Sequence, residues 1–194
     1  MITVEEALKI VHTHLGNWGT EEIFLDESLG RILQEEIVAD RDFPPFNRVT
    51  MDGIGLSFDQ FEKGQRVFEI KGVAPAGGLQ MELQDPSSCL EVMTGATVPI
   101  GVDAVVCYED LEIHEGKATV MLSNLNRDQN IHFKGSDRHQ GTVILSPGKC
   151  ISASEVGVCA TVGKNKISVS RLPKTLIVSS GDELVNIDQT PLSH

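Results

Sequence analysis

The chain has 194 residues, with 16 Lys and Arg against 28 Asp and Glu, for a formal charge of −12. That length allows one large domain or two small ones, and a real core without disulfide staples. The charge excludes non-specific binding to nucleic acid or to an anionic membrane surface, since both depend on Lys and Arg. An anionic ligand would need backbone N–H groups, helix N-termini or a metal ion to hold it. Seven Phe with Trp18 and Tyr108 are the whole aromatic complement, so the core is expected to be aliphatic. No apolar run nears the ~18 residues of a membrane-spanning helix. The N-terminal stretch is acidic where a signal peptide would be basic, so the expected location is cytoplasmic. Cys89, Cys107, Cys150 and Cys159 form no C-x-x-C, and three lie in apolar runs, which reads as buried free thiols. His12 and His14, two apart on an expected helix, cannot form a shared ligand pair.

Thr3-Val4-Glu5-Glu6 reads as a capping box, and Val4, Ala7, Leu8, Val11 and Leu15 continue it with a helical period ending at Gly16. Thr20 to Leu25 reads as a short strand. Leu29 to Ile37 reads as a short helix or turn leading into extended chain. Asp42 to Gly55 breaks every period, with Pro44-Pro45 and two glycines, and a loop this long is functional or a domain boundary. From Val67 to Met121 the pattern is β, with strands expected at 66–70, 89–93, 104–109 and 118–122. Glu115-Gly116 is placed as a hairpin turn, and Gly72 to Gly78 as a Gly/Pro-rich loop. The spacing predicts a small barrel or sandwich. Ser152-Ala153-Ser154-Glu155 is a second capping box, leading Val156, Cys159 and Val162 to a cap at Gly163. Ile167 and Val169 alternate with polar residues as a half-buried strand. Thr175-Leu176-Ile177-Val178 is a continuous apolar run, as in a parallel strand buried on both faces, and Ser179 to Leu184 is the turn after it. Only ten residues follow Leu184, so the chain reads as the front of a longer protein.

Three loops concentrate Gly with Thr or Asp: Met51-Asp52-Gly53, Thr94-Gly95-Ala96 and Gly181-Asp182-Glu183. Gly135-Ser136-Asp137 is a weaker fourth. Each alone has a structural explanation as a turn. Together, Asp52, Asp137, Asp182 and Glu183 suit Mg²⁺, a hard cation that prefers oxygen ligands and can hold an oxyanion against an acidic protein. Thr94 is placed to donate to an anionic oxygen, and Gly95 lets backbone approach closely. Nucleophilic catalysis has no support, because G-x-S-x-G and a Cys–His or Ser–His pairing are missing. Both common phosphate-loop patterns are absent as well.

In this order the four loops resemble the MoeA family of molybdopterin molybdenumtransferases, which includes the gephyrin E domain. Phe43-Pro44-Pro45-Phe46 through Met51-Asp52-Gly53 is similar to that family's PPF-x-N-S-x-MDG loop. Glu91 through Val106 is similar to its TGA-x-x-P-x-G-x-DAVV stretch, extended by Tyr108-Glu109-Asp110. Gly135-Ser136-Asp137 resembles GED. Pro173 through Val185 resembles the segment that opens the family's molybdopterin-binding domain.

The resemblance implies an enzyme that inserts molybdenum from molybdate into adenylylated molybdopterin and releases AMP. It implies a divalent metal such as Mg²⁺, a homodimer, and a molybdopterin adenylyltransferase as donor of the substrate. It places Asp52, Thr94, Asp137 and Glu183 in the catalytic site. Gly53, Gly95, Gly181 and Asp182 would bind substrate, and Asp52 and Asp137 would bind the metal. The implied fold is α+β and multi-domain. Residues 1–45 and 138–172 would form an α/β subdomain, residues 46–137 an inserted β-barrel-like domain, and residues 173–194 the start of a truncated α/β molybdopterin-binding domain. The chain departs from the family pattern at Asn47-Arg48-Val49, where Asp-Asn-Ser is usual, and at Ser136, where Glu is usual. Those changes leave a second reading, a non-catalytic dimerisation or scaffold module from a degenerate paralogue. A generic metal-dependent phosphate-ester enzyme is a third.

Overall fold

A computed structural model describes residues 2–181 and 183–191. In chain order the elements are α1 (Val4–Thr13), β1 (Thr20–Phe24), β2 (Ile37–Val38), β3 (Arg48–Val49), β4 (Gly53–Leu56), α2 (Phe58–Glu62), β5 (Val67–Ala74) and β6 (Ser88–Val92). They continue with β7 (Ala104–Cys107), β8 (Leu111–His114), β9 (Lys117–Val120), β10 (Ile131–His132), β11 (Val143–Leu145), α3 (Ala153–Thr161) and β12 (Lys166–Ser170). Two units result: Glu36–Leu145 form one, and the chain before and after them forms the other.

In the outer unit both expected capping boxes are present. Thr3 Oγ accepts from Glu6 N–H while the Glu6 carboxylate accepts from Thr3 N–H, so two orphan donors of α1 are satisfied reciprocally. α1 nonetheless buries none of its residues, and Val4, Leu8 and Val11 stay exposed. Ser152 and Glu155 cap α3 in the same way, and Gly163 follows its end with a positive φ of 74°. β1 pairs antiparallel with β12, and Ile167 and Val169 turn inward as their alternation predicts. Leu33, Ile151 and Cys159 complete this core.

The middle unit is built on a six-stranded sheet in the order β7-β4-β6-β5-β9-β8, antiparallel except for β5 with β6. Each face carries a core. Ile54, Leu56, Phe68, Cys89 and Val106 line one, and Leu90, Val92, Val102 and Val105 line the other. Residues of opposite parity on β6 and β7 thus serve opposite faces, as the strand period requires. The expected turn forms at Glu115 (φ 50°) and Gly116 (φ 72°), the left-handed pair of a tight hairpin, but its first arm is β8, a strand that was not expected, rather than the strand at 104–109.

Several expectations are corrected. The irregular stretch 42–55 ends three residues early, because Gly53, Ile54 and Gly55 belong to β4. A Cβ on Gly53 would sit 1.9 Å from the Val106 carbonyl oxygen, and one on Gly55 would sit 2.8 Å from Val102 Cγ1. These glycines therefore clear space inside a central strand, a role that composition reads as a loop. β5 runs on through Ala74, into the expected 72–78 loop, because Val73 and Ala74 still pair with β6. The strand expected to reach Glu109 stops at Cys107, where Tyr108–Asp110 form a 3-10 turn. Of the two readings of 29–37 the turn holds, with a turn at Leu29-Gly30 leading into the extended bridges of Ile32 and Leu33 and then β2, while a 3-10 turn at Leu25–Glu27 lies just before them. α2 was not expected. Cys150 is exposed and Cys107 only half-buried, so the buried-thiol reading holds for Cys89 and Cys159 alone. Thr175–Val178 form no strand, and Leu176, Ile177 and Val178 are exposed, because no neighbouring strand pairs them among the described residues. No helix of the described residues is long and apolar enough to cross a membrane.

Candidate functional site

The segment from Phe43 to Thr50 acts as a spine between two loops. On one side Gly95 N–H donates to Val49 O, Val49 N–H to Ala96 O and Val98 N–H to Asn47 O, each at 2.9 Å. On the other, β3 pairs antiparallel with β10, Thr50 N–H donates to Asn130 O, and Asp137 N–H donates to Phe43 O. The MDG, TGA and GSD loops of the middle unit therefore hang on one short piece of extended chain.

Asp52 and Thr94 meet directly. Thr94 N–H donates to Asp52 Oδ1 at 2.6 Å and Thr94 Oγ donates to the same oxygen at 2.8 Å. These two donors hold the Asp52 carboxyl below its ordinary range, the backbone bond having the larger effect. Asp52 Oδ2 receives no donor among the described residues. Gly95 follows with φ 87°, a turn that an L side chain resists, and this turn presents the Thr94 N–H. Gly53 lies next to Asp52 in β4, between Val92 and Cys107. Close by, Tyr108 N–H donates to Asp52 O, and the Tyr108 hydroxyl donates to Glu91 Oε1 at 3.0 Å. Burial, and then that bond to Glu91, push the phenol up to about 12, so it remains a neutral donor. Burial also pushes the Cys107 thiol up, with Glu109 and Asp110 adding to it, so no thiolate nucleophile is offered here.

Asp137 is engaged by different partners. His132 Nε2 lies 3.0 Å from Asp137 Oδ1. The opposite ring nitrogen lies 3.1 Å from a terminal nitrogen of Arg48. Sequence reading did not single out Arg48 or His132 for this role. Their only signal is β3–β10 register, which no spacing in the chain reveals. The residues that depart from the family pattern have structural duties. Asn47 Oδ1 accepts from Lys134 N–H at 2.9 Å, Val49 is buried in the core, and Ser136 Oγ donates to Phe133 O at 2.8 Å.

Glu183 and Gly181 lie in the outer unit, where Leu184 N–H donates to Gly181 O in an exposed turn. Asp182 lies outside the described residues. No group of three or more His, Cys, Asp or Glu side chains gathers as a metal site among the described residues. Mg²⁺ is commonly held by one or two carboxylates with phosphate oxygens and water, and Asp52 and Asp137 each supply one carboxylate of that kind, held by different partners. A cavity of about 340 Å³ beside Lys71, Leu83 and Ser88 and a groove of about 540 Å³ beside Phe24 and Val156 both lie elsewhere. Asp52, Thr94 and Asp137 are themselves exposed.

Comparison with known proteins finds relatives along the whole chain. A molybdopterin molybdenumtransferase of Synechocystis is 38% identical over 195 residues, covering 100% of this chain and 50% of that protein. One from Staphylococcus epidermidis is 32% identical over 191 residues, covering 96% and 45% respectively. The chain thus spans about half the length of the curated relatives it matches. A crystal structure of a molybdopterin biosynthesis MoeA protein from Pyrococcus horikoshii superposes with a TM-score of 0.76 at 26% identity, over 100% of this chain and 50% of that one. A second from the same organism gives 0.77 at 29% identity, over 86% and 45%. Residues 2–163 match the family described as the MoeA N-terminal region, domain I and II. With its MDG and TGA loops joined through Asp52 and Thr94 and this match over most of its length, the chain belongs to the MoeA N-terminal family.

Proposed function

We propose that this chain is the N-terminal part of a molybdenum cofactor biosynthesis enzyme that inserts molybdenum from molybdate into adenylylated molybdopterin and releases AMP. The observation that carries the reading is the Asp52–Thr94 pair, which presents an ionised carboxylate with one oxygen tied down and the other without a donor among the described residues. Asp52 and Asp137 hold a divalent cation, for which Mg²⁺ is the expected ion, and that cation would neutralise phosphate or molybdate oxygens beside an acidic surface. Thr94 orients Asp52. Gly53 and Gly95 let backbone come close to the ligand, and the family resemblance adds Glu183 as a catalytic residue and Gly181 and Asp182 as substrate-binding ones in the complete protein. The working form is a homodimer in the cytoplasm, supplied by a molybdopterin adenylyltransferase, and the chain by itself is inactive. The exposure of Asp52, Thr94 and Asp137 in this chain supports that last point.

The test is molybdate-dependent AMP release from adenylylated molybdopterin by the complete gene product with Mg²⁺. Activity that is lost in Asp52→Ala supports the proposal. A dimeric but inactive complete protein would establish the scaffold reading instead. Hydrolysis of simple phosphate esters by the chain alone would favour the generic metal-dependent reading.

A further inference from the structure

Asp137 is held by a relay that reaches back to the spine. Arg48 and His132 are direct partners in the β3–β10 ladder, so their side chains are neighbours. Arg48 Nε lies 3.4 Å and a terminal nitrogen 3.1 Å from His132 Nδ1. A guanidinium has donors only, so Nδ1 must accept. The ring proton then sits on Nε2, which donates to Asp137 Oδ1 at 3.0 Å. Arg48 belongs to the same segment whose Val49 is bonded on both sides to the Thr94 loop. Arg48 also occupies a position where the family motif has Asn.

We propose that Arg48 and His132 are positioning residues for Asp137: Arg48 selects the His132 tautomer, and the His132 Nε2–H fixes one carboxylate oxygen so that the other faces the ligand. The proposal rests on the reading of Asp137 as a site residue. It also turns one departure from the family pattern into a working part. The physical logic is that of outer-shell hydrogen bonds that orient a ligating group, whose loss costs roughly 10–100-fold in affinity or activity.

The test uses the complete gene product with ¹⁵N-labelled histidine. Wild type is expected to show His132 as a single Nε2–H tautomer, and Arg48→Met is expected to turn it into a mixture. In assays of AMP release, His132→Phe should lower kcat about 10-fold with KM for adenylylated molybdopterin little changed. His132→Gln, whose amide N–H can replace Nε2–H, should recover most of the loss. A tautomer mixture in wild type, or an unchanged tautomer in Arg48→Met, overturns the relay. Wild-type kcat in His132→Phe alongside an inactive Asp137→Asn overturns the positioning role while sparing the site. Full activity in Asp137→Asn removes the site reading itself and the positioning role with it, whatever the tautomer measurement shows.

Discussion

Thr94 gives both its backbone N–H and its hydroxyl to a single oxygen of Asp52, at 2.6 and 2.8 Å. The two residues are 42 positions apart in the chain and are joined by the register of β4 with β6, which sets Gly53 opposite Val92. A carboxylate so bound keeps its charge and its orientation together, which a flexible surface Asp does not.

The pair has a direct readout. The Asp52 carboxyl is expected to titrate below its ordinary value of 3.8. Thr94→Val removes the hydroxyl but keeps the N–H donor, so the midpoint should rise part of the way back. Carboxyl NMR measures both, and a wild-type midpoint at or above the ordinary value contradicts the geometry. Asp52→Asn in the complete protein should lower molybdenum insertion about 100-fold or more if the carboxylate acts on the reacting charge.

Gly53→Ala tests the central strand. The added methyl would meet the Val106 carbonyl at 1.9 Å, a backbone contact that cannot be relieved by a side-chain rotation. A loss of about 2 kcal/mol or more is expected in urea unfolding, from strain rather than from lost contact. Wild-type stability in this variant would show that the pairing of β4 with β7 is looser than described.

Gly157→Ala should act in the opposite direction. Gly157 is exposed in α3, and a Cβ there would meet nothing within 4 Å. Alanine restricts the unfolded chain and suits a helix, so a gain of about 0.4–1 kcal/mol is expected. Thermal melting of the variant beside wild type decides the sign.

Acid stability follows from four carboxylates. Asp42, Asp52, Asp85 and Glu155 all lie below their ordinary values, chiefly through hydrogen bonds from Gln140, Thr94, Ser87 and Ser152 respectively. The unfolded chain takes up these protons first, so stability is complete above the ordinary values of 3.8 and 4.5 and falls as pH drops through the lower folded ones. Tyr108 acts at the other end. Its neutral form is favoured in the fold, so stability should fall as pH rises from 10 toward about 12. Unfolding midpoints across pH test both limbs, and a flat acid limb would refute the first.

The local elements were legible where a short pattern carries its own physics. Thr3 to Glu6 and Ser152 to Glu155 announce helix starts because each box satisfies its own donors within four residues. Ile167 and Val169 announce a half-buried strand by alternation, and Glu115-Gly116 announces a turn. The glycines of β4 misled, since a residue without a side chain looks the same in a loop as in a crowded strand. The apolar run at 175–178 misled in another way, because a strand exists only with a partner to bond.

By itself, then, the sequence determined the two capped helices, most of the sheet strands and, through its motifs, the set of candidate residues and the family they resemble. Only the tertiary structure decided which of those residues meet. It joined Asp52 to Thr94, gave Asp137 to His132 and Arg48, and left Glu183 in the other unit. The reason is that hydrogen bonds between loops depend on strand order and register. Those are set by burial on both faces of the six-stranded sheet, through contacts between residues far apart in the chain.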